Sequence, residues 1–140
     1  MKGRAQLVLA IGAVVWCLAI FSAPIFDLVP VYAFFSSICH QLPARSWHIH
    51  GELLAVCIRC TAISIGFLAG LLRLKEPNVR RFKKAATITA LEWLLALAIL
   101  DSEFLRALSG ILLGAAAAPI IRAGVEEMFT RRVRTAHEPM

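Results

Sequence analysis

The sequence predicts an all-α integral membrane protein, a bundle of four transmembrane helices with a short re-entrant or interfacial helix after the first. Hydrophobic residues make up 59% of the 140 positions and charged residues only 17%, whereas about a quarter of a typical soluble domain is charged. Long apolar runs recur along the chain, and basic residues collect at their ends, as in membrane proteins. The length fits one domain, residues 1–140.

Four apolar runs predict the spans. The first, 5–26, carries no charge and is long enough to cross a hydrocarbon core of about 30 Å. A signal peptide is the alternative, because basic residues precede this run, but its apolar part is long for one. The second run, 53–72, includes Arg59, and the third, 85–100, includes Glu92. The fourth, 107–121, is short, and we expect Pro119 to break it near its end.

The stretch "LVPVYAFFSSI" between the first two runs is apolar but too short to cross, so it predicts the re-entrant or interfacial helix. Basic residues concentrate before the first span, between the second and third, and after the fourth. This distribution predicts a prokaryotic inner-membrane protein with both termini in the cytoplasm and segment 27–60 at the outer face. The lipid bilayer is the expected partner. Nucleic acid is not, because the basic residues form no continuous stripe despite a net charge of +6.

Two G-x-x-x-G pairs predict close helix packing and a possible homo-oligomer, since paired glycines let helix backbones approach in lipid. The alternative is that small residues are simply common in membrane helices. The pairs are Gly66 with Gly70 and Gly110 with Gly114.

Three of the four cysteines and three of the four histidines lie within residues 39–60. Cys57 and Cys60 form a C-x-x-C at the start of the second span, where spacing i, i+3 puts both sulfurs on one face. The helix N-terminus and Arg59 favour the thiolate. Structural zinc sites usually draw four Cys or His ligands from two short segments. The sequence therefore predicts a metal centre, most readily zinc with iron as the alternative, whose ligands are Cys39, His40, Cys57 and Cys60, with His48 and His50 in reserve.

No catalytic residue can be assigned from the sequence, but four ionisable residues are candidates. Charges inside a membrane segment indicate function by default. Asp101 is expected at the depth of the cysteines, where it could pair with Arg59, hydrogen-bond a ligating histidine or bind the ion itself. Glu92 is expected deeper, as a proton acceptor or as a neutral carboxyl, because burial raises the pKa of a carboxyl group. Glu52 and Asp101 are the nearest candidate bases for a metal-bound water.

Several of these residues form a pattern along the chain: Cys39-His40-Gln41, Arg45-Ser46, Cys57-x-Arg59-Cys60-Thr61, then Asp101, Arg106, Gly110 and Gly114. This pattern resembles an uncharacterised prokaryotic family of small membrane proteins, a domain of unknown function. The resemblance implies a shared site around the cysteines and His40. It implies no activity.

Three functions are compatible with the pattern. The first is a metal centre at the outer membrane boundary, with a structural or a hydrolytic role undecided: four protein ligands would close the site, and three would leave a position for water. The second is a quinone-linked thiol–disulfide oxidoreductase using the C-x-x-C pair, although the loop "DSEFLR" offers no second cysteine pair. The third is a metal-ion transporter that passes the ion inward through Glu92.

Overall fold

A computed structural model describes residues 2–73, 76–98 and 102–136 of the chain. The described elements are five helices and one two-stranded hairpin: α1 (Lys2–Phe26), α2 (Val29–Ser36), β1 (His48–Ile49), β2 (Glu52–Leu53), α3 (Ile58–Leu72), α4 (Val79–Ala98) and α5 (Glu103–Ala136). A single 3-10 turn, Pro43–Arg45, precedes the hairpin.

The helical class is confirmed, and so is the short helix after the first, which is α2. Within the described residues, two helical stretches are long and apolar enough to cross a membrane, Ala5–Phe26 and Glu103–Thr130. The apolar helix α3 has only 15 residues, because the first part of the expected second span is not helical: Leu53 pairs with His48 in the hairpin. That four helices cross the membrane stays a prediction.

The expectation that Pro119 breaks the last helix was wrong, since α5 continues through it to Ala136. A proline inside a helix removes the hydrogen bond to the carbonyl four residues earlier, here that of Ala115. This carbonyl faces α3 at Gly70, where an added Cβ atom would lie 2.8 Å from the Ala115 oxygen. Close packing between the two helices therefore covers the carbonyl that the proline leaves without its intrahelical partner.

The most extensive interface joins α3 to α5, while α1 packs on α3 and α4 packs on α5. The two central helices run in the same direction, because Gly66 faces Ile111 and Gly70 faces Ala115 one turn later. From the other side, Gly110 faces Ala62 and the Arg59 carbonyl, and Gly114 faces Ile63. Both G-x-x-x-G pairs thus lie at the interface of α3 and α5 within one chain, which agrees with the close helix packing that they predicted.

Candidate metal centre

The segment that carries the cysteines reverses direction twice between α2 and α3. After α2, Cys39 and His40 lie in non-helical chain, and Gln41 adopts a left-handed backbone with φ 46°. The hairpin then turns at His50 (φ 54°) and Gly51 (φ 88°). Two central residues with positive φ define a type I′ turn, which suits a two-residue hairpin loop. These two reversals return the chain to Cys57, directly beside Cys39.

Three sulfur atoms meet at the start of α3. The Sγ atoms of Cys39, Cys57 and Cys60 all lie within 4.8 Å of one another, and all three cysteines are free thiols. The backbone N–H of Cys57 donates a hydrogen bond to Cys39 Sγ (3.2 Å). Sulfurs bound about 2.3 Å from one tetrahedral zinc ion lie about 3.8 Å apart. The observed group is therefore close to the geometry that a metal ion needs.

An apolar wall lies against the group, in which Cys39 is buried and Cys57 and Cys60 are half-buried. Cys39 belongs to a buried cluster with Ile20 and Ala23 of α1, Phe35 of α2 and the segment 54–56, and Cys57 and Cys60 pack against that cluster. Phe35 in turn contacts the Trp16 ring edge to face at 5.0 Å. Such walls exclude water and strengthen electrostatic interactions inside, so a charge at the sulfurs needs partners.

Hydrogen bonds stabilise a negative charge on the sulfur of Cys57, which precedes α3 and lies outside the two long helices. The Cys60 side chain donates a hydrogen bond that, with the backbone N–H groups of Cys60 and Arg59 and the Cys39 thiol, outweighs burial and lowers the pKa of the Cys57 thiol. Cys60 is the member of the pair that keeps its proton. Thiolate is the form that binds metal ions. The start of α3 is therefore already suited to an anionic sulfur.

Gln41 holds the two cysteine segments together. Its side-chain NH₂ donates to the carbonyl of Tyr32 (2.9 Å) on α2 and to that of Ala55 (2.7 Å), two residues before Cys57. Thr61 adds a second brace, because its N–H (3.0 Å) and its hydroxyl (3.2 Å) both donate to the Cys57 carbonyl. Sequence reasoning assigned neither residue a role. Only their positions in the sequence could have indicated these roles, because each residue directly follows a Cys or His of the motif.

An ion pair between the partly buried Arg59 and the buried Glu92 fixes the residue between the two cysteines of the C-x-x-C. Arg59 donates to Glu92 Oε2 of α4 at 2.6 Å. The Ser109 hydroxyl on α5 donates to the same oxygen at 3.2 Å. Thr89 of α4 donates to the Ser109 carbonyl (3.3 Å). The candidate residues Arg59 and Glu92 thus tie α3, α4 and α5 together at the level of the first turn of α3.

A second arginine lies beside the cluster. Arg106 is buried, with 3% of its surface exposed, and it precedes Gly110 by one helical turn. Since Gly110 faces Arg59 and Ala62 and the helices are parallel, Arg106 lies one turn earlier, at the beginning of α3. It interacts electrostatically with Cys57 and Glu92. This cation can offset negative charge that gathers at the sulfurs.

The other predicted site residues lie apart from the sulfurs. His40, His48, His50 and Glu52 are exposed, and none joins the three cysteines in the group described by the structure. His50 occupies the hairpin turn, which explains why the H-x-H spacing does not bring it inward. Asp101 lies outside the described residues.

Comparison with known proteins agrees with the motif resemblance. Residues 39–120 match the family described as "Predicted membrane protein (DUF2085)", a domain of unknown function. An uncharacterised protein of Methanocaldococcus jannaschii is 37% identical over 78 residues, covering 47% of this chain and 50% of the relative. The chain thus spans about half the length of that relative. No solved structure matches the chain at a significant level. The predicted family is confirmed, and with it the membrane class.

Proposed function

Since the chain belongs to the DUF2085 family of predicted membrane proteins, we propose that it holds a zinc ion at the extracytoplasmic membrane boundary. The ligands are Cys39, Cys57 and Cys60. The single observation that carries this proposal is the approach of three free sulfurs to within 4.8 Å of one another. Thiolate sulfur selects zinc, copper(I) and iron–sulfur clusters among biological metals, and structural zinc sites are rich in cysteine. Iron is the second choice of metal.

The charges around the sulfurs fit a thiolate-bound cation. Three thiolates and Zn²⁺ carry a net charge of −1, which an apolar wall would penalise without a partner. Arg106 interacts electrostatically with Cys57, and Arg59 forms an ion pair with Glu92. Arg106 therefore adds a favourable positive charge near the proposed centre.

The fourth ligand decides the role of the centre. We propose that His40, which lies outside the group of three sulfurs in the described structure, turns toward them when the metal binds and completes four protein ligands, which makes a structural site. If water holds that position instead, the metal supplies a hydroxide for hydrolysis near neutral pH. In that case the exposed Glu52 of the hairpin is the described carboxylate to test as a base.

Metal content measured by elemental mass spectrometry on protein purified in mild detergent tests the proposal. We expect about one zinc per chain, lost in Cys57→Ser and Cys60→Ser. Cys17→Ser is the matched control: this cysteine lies in α1 outside the group of three, so its loss should leave the zinc content unchanged. Equal metal loss in the control, or no metal in the wild type, contradicts the proposal.

The alternative oxidoreductase makes a different prediction for the same preparation. It requires metal-free protein in which Cys57 and Cys60 interconvert between dithiol and disulfide, and quinone reduction when a dithiol is supplied. The transporter alternative requires zinc uptake into proteoliposomes that is lost in Glu92→Gln. Zinc that stays bound through purification, together with thiols that resist alkylation until a chelator is added, separates the metal centre from both.

The proposed location is tested separately. Whole cells or spheroplasts are treated with a chelator and then with a membrane-impermeant maleimide. Labelling at Cys57 or Cys60 supports the outer face, and labelling only after the cells are opened contradicts it.

A further inference from the structure

A cavity of about 330 Å³ lies at the end of the bundle away from the cysteines. Cys57 and Arg73 flank the two ends of α3, which separates them by about 24 Å at 1.5 Å per residue. The cavity is bounded by the end of α3, the segment 76–78, the start of α4 and the middle of α5. None of its lining residues takes part in the metal centre.

The rim of this cavity is cationic. Arg73, Arg81 and Lys84 line it together with a single acidic residue, Glu76. The first turn of α4 contains no acidic residue, and Asn78 caps it by accepting a hydrogen bond from the Arg81 N–H (3.1 Å). Basic side chains at the positive end of a helix dipole are unfavourable. A bound anion would relieve that repulsion.

The inner wall of the cavity is apolar and continues toward the surface of the bundle. Ile88, Leu112, Ala115, Ala116 and Pro119 form the wall. Ile88 and Leu112 also line a second cavity of about 250 Å³, a groove between α4 and α5. Its other lining residues are four leucines, Ser109 and Glu92. The cationic cavity and this mostly apolar groove thus share two wall residues.

We propose that this combined site binds an anionic phospholipid. The phosphate lies among Arg73, Arg81 and Lys84, and an acyl chain follows Ile88 and Leu112 into the groove between α4 and α5. Basic pockets between membrane helices are known to bind phosphate head groups of lipids. A free phosphate ion would make no use of the apolar groove, so the lipid accounts for both halves of the site.

The test is lipid binding measured by native mass spectrometry on the full chain in detergent, with phosphatidylglycerol as probe and phosphatidylcholine as the zwitterionic comparison. The test variant is Arg81→Gln with Lys84→Gln. Its matched control is Arg80→Gln with Lys83→Gln, which removes the same charge from the same two turns of α4 at residues that do not line the cavity. We expect phosphatidylglycerol binding to weaken roughly 30-fold in the test variant and less than threefold in the control.

Three results would overturn the proposal. Equal loss of phosphatidylglycerol binding in both variants would indicate non-specific attraction to basic residues, and equal binding of the two lipids would contradict selection for the anionic head group. Complete displacement of phosphatidylglycerol by inorganic phosphate alone would identify a phosphate site without a lipid.

A further variant, Leu112→Gln, tests the groove. It should weaken phosphatidylglycerol binding without changing the charge of the rim, and unchanged binding would contradict the acyl-chain half of the site. Thermal unfolding by circular dichroism, measured alongside, reports whether each variant is folded.

Discussion

The two ends of α3 are built in opposite ways. At its start, side chains form specific hydrogen bonds: Gln41 donates to two backbone carbonyls, Thr61 donates to the Cys57 carbonyl, and Arg59 donates to the Glu92 carboxylate. At its end, Gly70 meets the backbone of α5 directly, and basic residues surround an open cavity. One end of α3 therefore holds three sulfur atoms within 4.8 Å of one another, while the other end leaves a cavity of about 330 Å³, which has room for a larger ligand.

Breaking the glycine contacts should have the largest effect, because backbone atoms cannot move aside. An added Cβ at Gly114 would overlap the Ile63 carbonyl and lie 2.7 Å from the Phe67 nitrogen. We expect Gly114→Leu to prevent folding, seen as aggregation and loss of the thermal transition by circular dichroism.

Gly124→Leu is the matched control for Gly114→Leu on the same helix, since nothing lies within 4 Å of its added Cβ. It should fold and gain up to about 1 kcal/mol of helix stability from the removed glycine. If both variants unfold alike, tight packing of α3 on α5 is not the cause.

The second-largest loss of stability should come from breaking the ion pair between Arg59 and Glu92. Glu92→Leu leaves Arg59 without the carboxylate that it contacts. Breaking a fully buried pair costs about 3–5 kcal/mol, and because the Arg59 side chain is 22% exposed, we expect a loss below that range. The double variant Arg59→Met, Glu92→Leu removes both charges and should recover most of that loss. Glu103→Leu, at an exposed position of α5, controls for a lost acidic residue. Thermal unfolding measures all three, and a double variant no more stable than the single one would contradict this account.

Sequence patterns anticipated the helical class and the three cysteines because both depend on local rules: apolar runs form helices in lipid, and C-x-x-C converges at a helix start. They missed the continuation of α5 through Pro119. The Ala115 carbonyl, which the proline leaves without an intrahelical partner, is covered only by tertiary packing on Gly70. They also offered Asp101 as a partner for Arg59, whereas the described residues pair Arg59 with Glu92. Glu92 lies 33 residues away along the chain, and only the placement of α4 against α3 and α5 brings it close.

Replacing Gln41 should have a smaller effect on stability, confined to the start of α3 where the cysteines lie. Gln41→Ala removes two hydrogen bonds and leaves the Tyr32 and Ala55 carbonyls without them, which should cost about 1–3 kcal/mol. Residues that orient metal ligands typically change metal affinity about 10–100-fold, so zinc should bind correspondingly more weakly in a competition titration with a chromophoric chelator.

Gln6→Ala is the control for Gln41→Ala, since Gln6 donates one hydrogen bond, to the Leu71 carbonyl at the far end of α3 (3.3 Å). It should leave zinc affinity unchanged. A Gln41 variant that loses stability but keeps its zinc affinity would show that the residue supports the fold and not the ligand geometry.

The smallest effect is expected at His40, where the proposed fourth ligand meets solvent. Because three sulfurs remain, His40→Ala should still load about one zinc per chain and bind it more weakly than wild type, while His48→Ala, exposed on the hairpin, should match wild type. Cobalt substitution gives the sharper readout, since loss of one nitrogen ligand shifts the visible absorption of a tetrahedral centre. An unchanged spectrum and affinity in His40→Ala would mean that water, not histidine, holds the fourth position, and the centre would then have the open geometry that hydrolysis requires.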